Sequence, residues 1–393
     1  MNVDNLPTID INLWSDAVLR DPFPYYKAIR DLGPVVYSTA HDLYLLTRYK
    51  EVKECLSDWE TFSSAQGVSF NDNLNEGLAG SLVGSDPPEH RHYRKILEKP
   101  LLPNGLAGVR SKIRDMANGI VANAKAKGTV EAVSDISSQL PIKLVAELVG
   151  LPAEGQSKML HWASQGFNTF APEGTPRVEQ GIADIAEMTA FFTDPTLPDR
   201  ILPNSWASGL DEAVKQGVIT REQFCTFMQM NYTFAALDTT IHASSSMLYL
   251  LATHPDEWKK LKNKPSLALK AMNETLRLDG PAQAFSRVTT RDTELSGVPV
   301  RKGSRLFVSF AAANRDERHY SNPDVFDISR KSADHLGFGF DEHVCLGRNL
   351  ATLELMEILA QLIEQVDRIE LVDCERSVNN ALRGFKRLNL RLS

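Results

Sequence analysis

The spacing of apolar and polar positions divides the chain into a helical body and smaller strand-forming regions at either end. Near the N-terminus it predicts a helix over 22–31, two short strands (VVYS, 35–38, and LYLLT, 43–47) and a helix over 49–56. Helical patterns dominate after residue 87, with breaks near Gly128, Pro152, 172–176 and 195–203. The stretch 221–253 holds neither Pro nor Gly and reads as one helix. At 1.5 Å per residue it would run about 50 Å, enough to cross the molecule. Helices over 255–263 and 266–278 follow. Next, FSRVTTRD, TELSG and RLFVSF alternate or carry β-branched residues, with Gly297 and Gly303 at turns. A last helix over 345–365 and two strands, RIELVD and LRGFKRLNLRLS, close the chain. The sum is a mainly α fold with a minor antiparallel β region, expected to form one domain over 1–393.

Between these elements, residues 61–86 (TFSSAQGVSFNDNLNEGLAGSLVGSD) are rich in Gly, Ser and Asn and predict a long irregular loop. A loop of that length in a compact chain serves as a lid more often than as filler. Composition adds exclusions. With 42% hydrophobic and 24% charged residues the chain is ordinary for a globular protein. A net charge of −7 argues against binding nucleic acid or a membrane surface. The cysteines Cys55, Cys225, Cys345 and Cys374 are too scattered for a disulfide framework. No run of about 18 apolar residues occurs, so no membrane span is expected. The N-terminus has no apolar signal segment, and the expectation is a cytoplasmic monomer.

Four groups of residues carry candidate chemistry. In HLGFGFDEHVCLGRNLA, Cys345 precedes what reads as a helix start, where the backbone N–H groups of Leu346, Gly347 and Arg348 stabilise an anion and a thiolate. Gly337 and Gly339 allow a tight turn close to something flat, and a thiolate so held is a good axial ligand for haem iron. In NETLR, Glu274 and Arg277 are three apart on a helix and can pair, with Arg330 of FDISR as a third member. In DPPEHRHYRK, Asp86 suits a helix cap, and His90 and Arg94 share a face that could grip an anion. Arg91, Lys95 and Lys99 form a second, basic face. In the long helix, Asn231, Ala235 and Thr239 fall on one face, with Phe234 and Asp238 adjoining, and leave a groove. Taken alone, each group has a plainer reading: a core cysteine, a surface ion pair, a solvated face and a packing notch.

In this order and spacing the motifs HxxxR, AAxDTT, ExxR, FDISR and FGxxxHxCxG resemble the cytochrome P450 family in its soluble bacterial form, over essentially the whole chain. The resemblance implies the P450 fold, haem b as cofactor and Cys345 as the thiolate ligand of its iron. It implies that His90, Arg94, Arg287 and His343 hold the haem propionates, with Ala235 and Gly347 also at the cofactor. Glu274, Arg277 and Arg330 match the family's structural ion network. Asp238 and Thr239 match the acid–alcohol pair that delivers protons during oxygen activation. Two departures stand out. Asp341 replaces an expected glycine before Cys345, tolerable because Asp enters the left-handed region more readily than most residues. Ala236 replaces the more usual glycine of the long-helix motif.

The implied activity is insertion of one atom of O2 into a small aromatic substrate, by hydroxylation or O-demethylation. Electrons are expected from a separate ferredoxin and its reductase, docking on the side of Arg91, Lys95, Lys99 and Arg348. Phe167, Phe170, Asn231, Phe234, Ala235 and Phe285 are the expected substrate walls, since phenylalanines suit a flat guest. FNTFAP, PAQAFSR and SSAQGVS are similar to a branch acting on para-substituted benzoates. Yet no Lys or Arg occurs between Lys53 and Arg91, and Met230 and Asn231 stand where a basic–hydroxyl pair is expected. A buried carboxylate without a cation is costly, so a neutral or phenolic aromatic is expected. Alternatives are a peroxygenase on the same fold, a haem-thiolate binding or sensing protein without activity, and a haem-free helical scaffold.

Overall fold

The computed structural model describes residues 6–393. A six-stranded sheet lies to one side, in the order Thr8–Ile9, Val36–Ser38, Leu43–Leu46, Arg305–Ser309, Ala284–Thr289, Phe62–Ser63. It is not purely antiparallel: Thr8–Ile9 runs parallel to Val36–Ser38, and Leu43–Leu46 parallel to Arg305–Ser309. That parallel pairing joins strands some 260 residues apart, which a local pattern cannot register. A hairpin, Thr293–Leu295 with Val298–Val300, turns on Ser296 and Gly297, both at positive φ (49° and 84°) as a two-residue turn of this twist demands. The C-terminal strands Ile369–Arg376 and Phe385–Leu392 pair antiparallel and recruit Thr129–Glu131, a strand the pattern did not indicate.

The helices follow the apolar spacing closely, at Phe23–Leu32, Tyr49–Ser57, Pro255–Asn263 and Ala268–Asp279. Three expectations are corrected. The stretch 221–253 is not one helix. It runs as an α-helix over Arg221–Phe227, a π-helix over Met228–Phe234, a break at 235–237 and an α-helix over Asp238–Thr253. At the break the Thr239 hydroxyl donates to the carbonyl of Ala235 at 3.1 Å, a side chain bonding back onto the helix ladder where the chain bends. The last helix starts at Arg348, not Cys345, so the cysteine sits in the turn before it. The lid is not wholly irregular. It holds a short helix, Asp72–Leu78, capped by the Asn71 side chain, which accepts from the Leu74 N–H at 3.0 Å.

The main core gathers around the helices Asp238–Thr253 and Arg348–Gln365, and a second cluster lies over the sheet. Among the described residues no helix is long and apolar enough to cross a membrane.

Candidate functional site

The segment before the last helix is folded around its own backbone. The Cys345 N–H donates to the Phe338 carbonyl at 2.8 Å, and Val344 N–H to Asp341 at 3.0 Å. Gly339 takes φ 73°, and a Cβ there would stand 3.1 Å from the His343 carbonyl; Gly337 is held as closely, 3.0 Å from the Leu276 carbonyl. Asp341 sits at φ 54°, the left-handed conformation expected of it in a glycine's place. This loop presents Cys345 to a cavity of about 270 Å³ with mainly apolar walls. The side chain has open surface, but that surface is cavity wall. The protein otherwise encloses it, and burial pushes its thiol up while the N–H groups of Gly347 and Arg348 pull the other way.

His90, Arg94, Arg287 and His343 line the same cavity. Arg287 lies on the strand Ala284–Thr289 and is buried, donating to the Ser286 carbonyl at 2.7 Å. Burial lowers its pKa, and no carboxylate lies within ion-pair distance of it among the described residues. His90 and His343 pack 4.4 Å apart. Burial depresses both, His90 to about 4, and His90 Nδ1 and His343 Nε2 make no hydrogen bond among the described residues. Arg94 donates to the Val344 carbonyl and lies 3.3 Å from Glu98. His343 Nε2 lies 3.8 Å from Asp86 Oδ1, too far for a good hydrogen bond; a buried guanidinium without a carboxylate and the unpartnered His90 Nδ1 around an apolar slot call for anionic oxygens of a guest. The carboxylates of a porphyrin meet that requirement, so these residues fit haem.

Asn231, Ala235 and Thr239 line the same cavity, as their spacing predicts. Asp238 does not. It is 5% exposed and turns toward His242, whose Nε2 lies 3.3 Å from its Oδ1. Four rings wall one end: Phe167 and Phe234 have centroids 4.3 Å apart, Phe170 and Phe285 5.4 Å, Phe170 and Phe234 5.8 Å. Gly166 makes room for this, since a Cβ there would stand 2.0 Å from the Phe234 ring. Asn231 Nδ2 is buried at the cavity with no hydrogen-bond acceptor among the described residues.

Glu274, Arg277 and Arg330 meet as their motifs imply. Arg277 grips Glu274 with two bonds of 2.8 Å, and Arg330 Nε reaches the same carboxylate at 3.0 Å. Two other expectations fail. Asp86 does not cap the helix Glu89–Leu97. Its carboxylate reaches back to the start of the lid, accepting from the Ser63 hydroxyl at 2.5 Å and the Ser64 N–H at 3.0 Å. Arg91 is not a free surface charge either, because Glu342 of the cysteine loop pairs with it.

Sequence reasoning missed two residues. Glu354 lines the cavity, fully buried, with neither carboxylate oxygen hydrogen-bonded among the described residues. Its signal was present: Leu350, Glu354, Ile358 and Leu362 recur every four residues, and the other three are apolar and buried. His242 was legible in the same way, as the one imidazole of a nearly all-buried helix.

A largely helical chain whose apolar cavity is lined by one cysteine, by Thr239 and by buried basic side chains has the make-up of a haem-thiolate oxidoreductase. The comparisons with known proteins agree. Residues 225–370 match the family model described as cytochrome P450. Over 393 residues the chain is 32% identical to cytochrome p450 CYP199A2 of Rhodopseudomonas palustris, covering 99% of this chain and 95% of that one. The heme domain of CYP116B5 from Acinetobacter radioresistens superposes with a TM-score of 0.86 at 25% identity, covering 98% of this chain and 97% of that one. Cytochrome P450 CREJ, solved in complex with (4-ethylphenyl) dihydrogen phosphate, superposes with a TM-score of 0.84 at 26% identity, covering 95% and 98%. This chain belongs to the cytochrome P450 family. It is a monooxygenase, an oxidoreductase whose cofactor is haem b.

Proposed function

We propose that the enzyme oxidises a small, uncharged aromatic substrate, by ring hydroxylation or O-demethylation, with electrons from a ferredoxin. One observation carries the substrate reading. The cavity is walled by Phe167, Phe170, Phe234 and Phe285, and beside them the Asn231 amide N–H is buried without an acceptor among the described residues. Four rings at 4.3–5.8 Å favour a flat guest by offset or edge packing. A free amide donor favours a guest with an acceptor oxygen, such as a phenol or aryl ether. The structurally similar CREJ was solved with an aryl guest, (4-ethylphenyl) dihydrogen phosphate, which is in keeping with an aromatic substrate. That guest also carries an anionic phosphate, whereas here the arginines lining the cavity among the described residues, Arg94 and Arg287, are assigned to the haem carboxylates.

In this reading the Cys345 thiolate would hold the haem iron, and His90, Arg94, Arg287 and His343 would hold the two haem carboxylates, with Ala235 and Gly347 also lining that site. Haem, when bound, supplies the iron at which O2 is activated. The Thr239 hydroxyl, donating to Ala235, keeps its lone pairs for the cavity, where they accept a proton donor beside the reacting oxygen. Asp238 carries protons to it from the buried side of the helix. Glu274, Arg277 and Arg330 fix the segment that leads into the cysteine loop.

The test is a binding titration read by the haem absorbance. 4-Methoxyphenol is expected to bind about tenfold more tightly than 4-methoxybenzoate, since a buried, uncompensated carboxylate costs at least ~1.4 kcal/mol. A benzoate held tenfold more tightly than the phenol would overturn the reading.

For the electron donor, Lys95, Lys99 and Arg348 remain exposed on the cysteine-loop side, while Arg91 is neutralised by Glu342. The double change Lys95→Glu and Lys99→Glu is expected to slow reduction by a ferredoxin, with the loss greatest at low salt because exposed charges are screened beyond about 10 Å at 0.1 M. An unchanged salt dependence would remove this face from consideration. Arg91→Ala is expected to do little by comparison.

A further inference from the structure

Among the described residues, Asp238 has one charged partner within ion-pair distance, and it is a histidine one helical turn on. His242 is 7% exposed and does not line the cavity. The pair is open at both ends: Asp238 Oδ2 and His242 Nδ1 are buried without a hydrogen-bond partner among the described residues. The ring is seated by the absence of a side chain, since a Cβ on Gly384 would stand 2.0 Å from Nδ1 and 2.2 Å from the ring carbon beside it. Asp238 and His242, at i and i+4, lie on one face of a mostly buried helix, so their side chains stand side by side.

The charged groups around this pair are committed elsewhere. Arg383, next to Gly384, donates to Asp279 Oδ1 at 2.8 Å and to the Arg20 carbonyl at 2.7 Å. Arg376 and Ser246 both donate to Asp279 Oδ2 at 2.8 Å. Asp279 is therefore saturated, and neither arginine is available to Asp238. Glu354, on the facing helix Arg348–Gln365, opens to the cavity that His242 does not reach.

We propose that His242 feeds protons to Asp238 and is its counter-cation, a positioning residue that acts on the cavity only through that carboxylate. This rests on the reading of Asp238 as the proton carrier. The His242 Nε2–H passes its proton to Asp238 Oδ1, leaving a neutral ring that keeps its hydrogen on Nδ1. Asp238 gives one up beside Thr239, and a proton taken up again at Nε2 restores the imidazolium before the second delivery. Two such deliveries per turnover, with O2, two electrons from the donor and the substrate C–H, balance to one hydroxyl on the product and one water. An imidazole suits the task because a ring nitrogen can both give and take a proton. When Asp238 is ionised a protonated His242 keeps the buried pair neutral, whereas a lone buried carboxylate would be strongly disfavoured.

The test uses the holoenzyme, with four variants: His242→Gln, Asp238→Asn, the double change, and Gly384→Ala, which displaces the ring without touching either polar group. In His242→Gln, product formed per NADH consumed is expected to fall at least about tenfold, with the missing electrons recovered as peroxide. The solvent isotope effect on product formation should rise, and the dissociation constant of the substrate should stay within about twofold. Gly384→Ala should reproduce this pattern. Independently of turnover, thermal unfolding of the four members of the cycle should be non-additive, the double variant losing no more than the worse single one. Additive losses together with an unchanged product-to-NADH ratio and isotope effect in His242→Gln would overturn the proposal. A wild-type enzyme that consumed NADH without any product would fail the proton-carrier reading of Asp238, and the cycle would still decide the pairing.

Discussion

Glu274→Ala is expected to cost about 3–5 kcal/mol of stability, because it removes one partner of a buried ion network and strands the others. Glu274 and Arg277 have fully buried side chains, and Arg330 shares the same carboxylate. Arg277 also donates to the carbonyls of Asn314 and Pro323 at 2.8 and 2.7 Å and lies 5.0 Å from the Tyr320 ring. The network thus ties the helix Ala268–Asp279 to the segment that runs toward the cysteine loop. Asn314 continues the chain of contacts, accepting from the Leu336 N–H at 2.7 Å. With the carboxylate gone, two guanidiniums lose their counter-charge in the interior, and the path from Arg277 to Leu336 loses its anchor. Unfolding by urea should show the midpoint shift, and the reduced carbon monoxide spectrum should show lost thiolate-bound haem. Arg277→Lys should also be damaging, since an ammonium cannot make the paired bonds of the planar guanidinium. A Glu274→Ala protein with an unchanged midpoint and full haem content would show that the loop is held without the network.

The same network illustrates what the sequence makes legible. Glu274 and Arg277 are three residues apart, so their pairing is a local property, and the motif order supplied Arg330. Helix positions were equally readable because apolar spacing is local. What escaped depends on partners far along the chain. The threonines of the FAALDTT segment are a visible cause of bending, but that the helix breaks outright at 235–237 depends on the bond from Thr239 to the Ala235 carbonyl and the packing that rewards it. Asp86 reads as a helix cap from its position before two prolines, but the lid backbone 22 residues upstream offers its carboxylate more donors. Arg91 reads as a free docking charge until the cysteine loop, 251 residues on, brings Glu342 beside it. His242 depends on Gly384 in the same way: the histidine is visible, the bare backbone that seats it is not.

Glu354 is the residue whose burial should be most measurable in solution. It occupies a position of the apolar stripe Leu350, Ile358, Leu362, fully buried, and desolvation pushes its carboxyl up to about 8. In the unfolded chain a glutamate titrates near 4.3. Between these values the folded protein keeps a proton that the unfolded chain has released, so stability falls as pH rises. The slope approaches ~1.4 kcal/mol per pH unit for this one group, a loss of about 3–4 kcal/mol between pH 5 and 8. Carboxylates held low by partners, Asp279 and Asp86 among them, act in the opposite sense at lower pH, so the contribution of Glu354 must be isolated by difference. Glu354→Gln cannot ionise and is expected to lose this slope. Its unfolding midpoint relative to the wild type should climb steadily from pH 5 to pH 8. Parallel curves for the two proteins would mean that the carboxyl is already ionised at neutral pH, which its surroundings of Leu350, Leu355 and Ile358 argue against: no cation within reach among the described residues would offset the cost of burying that charge.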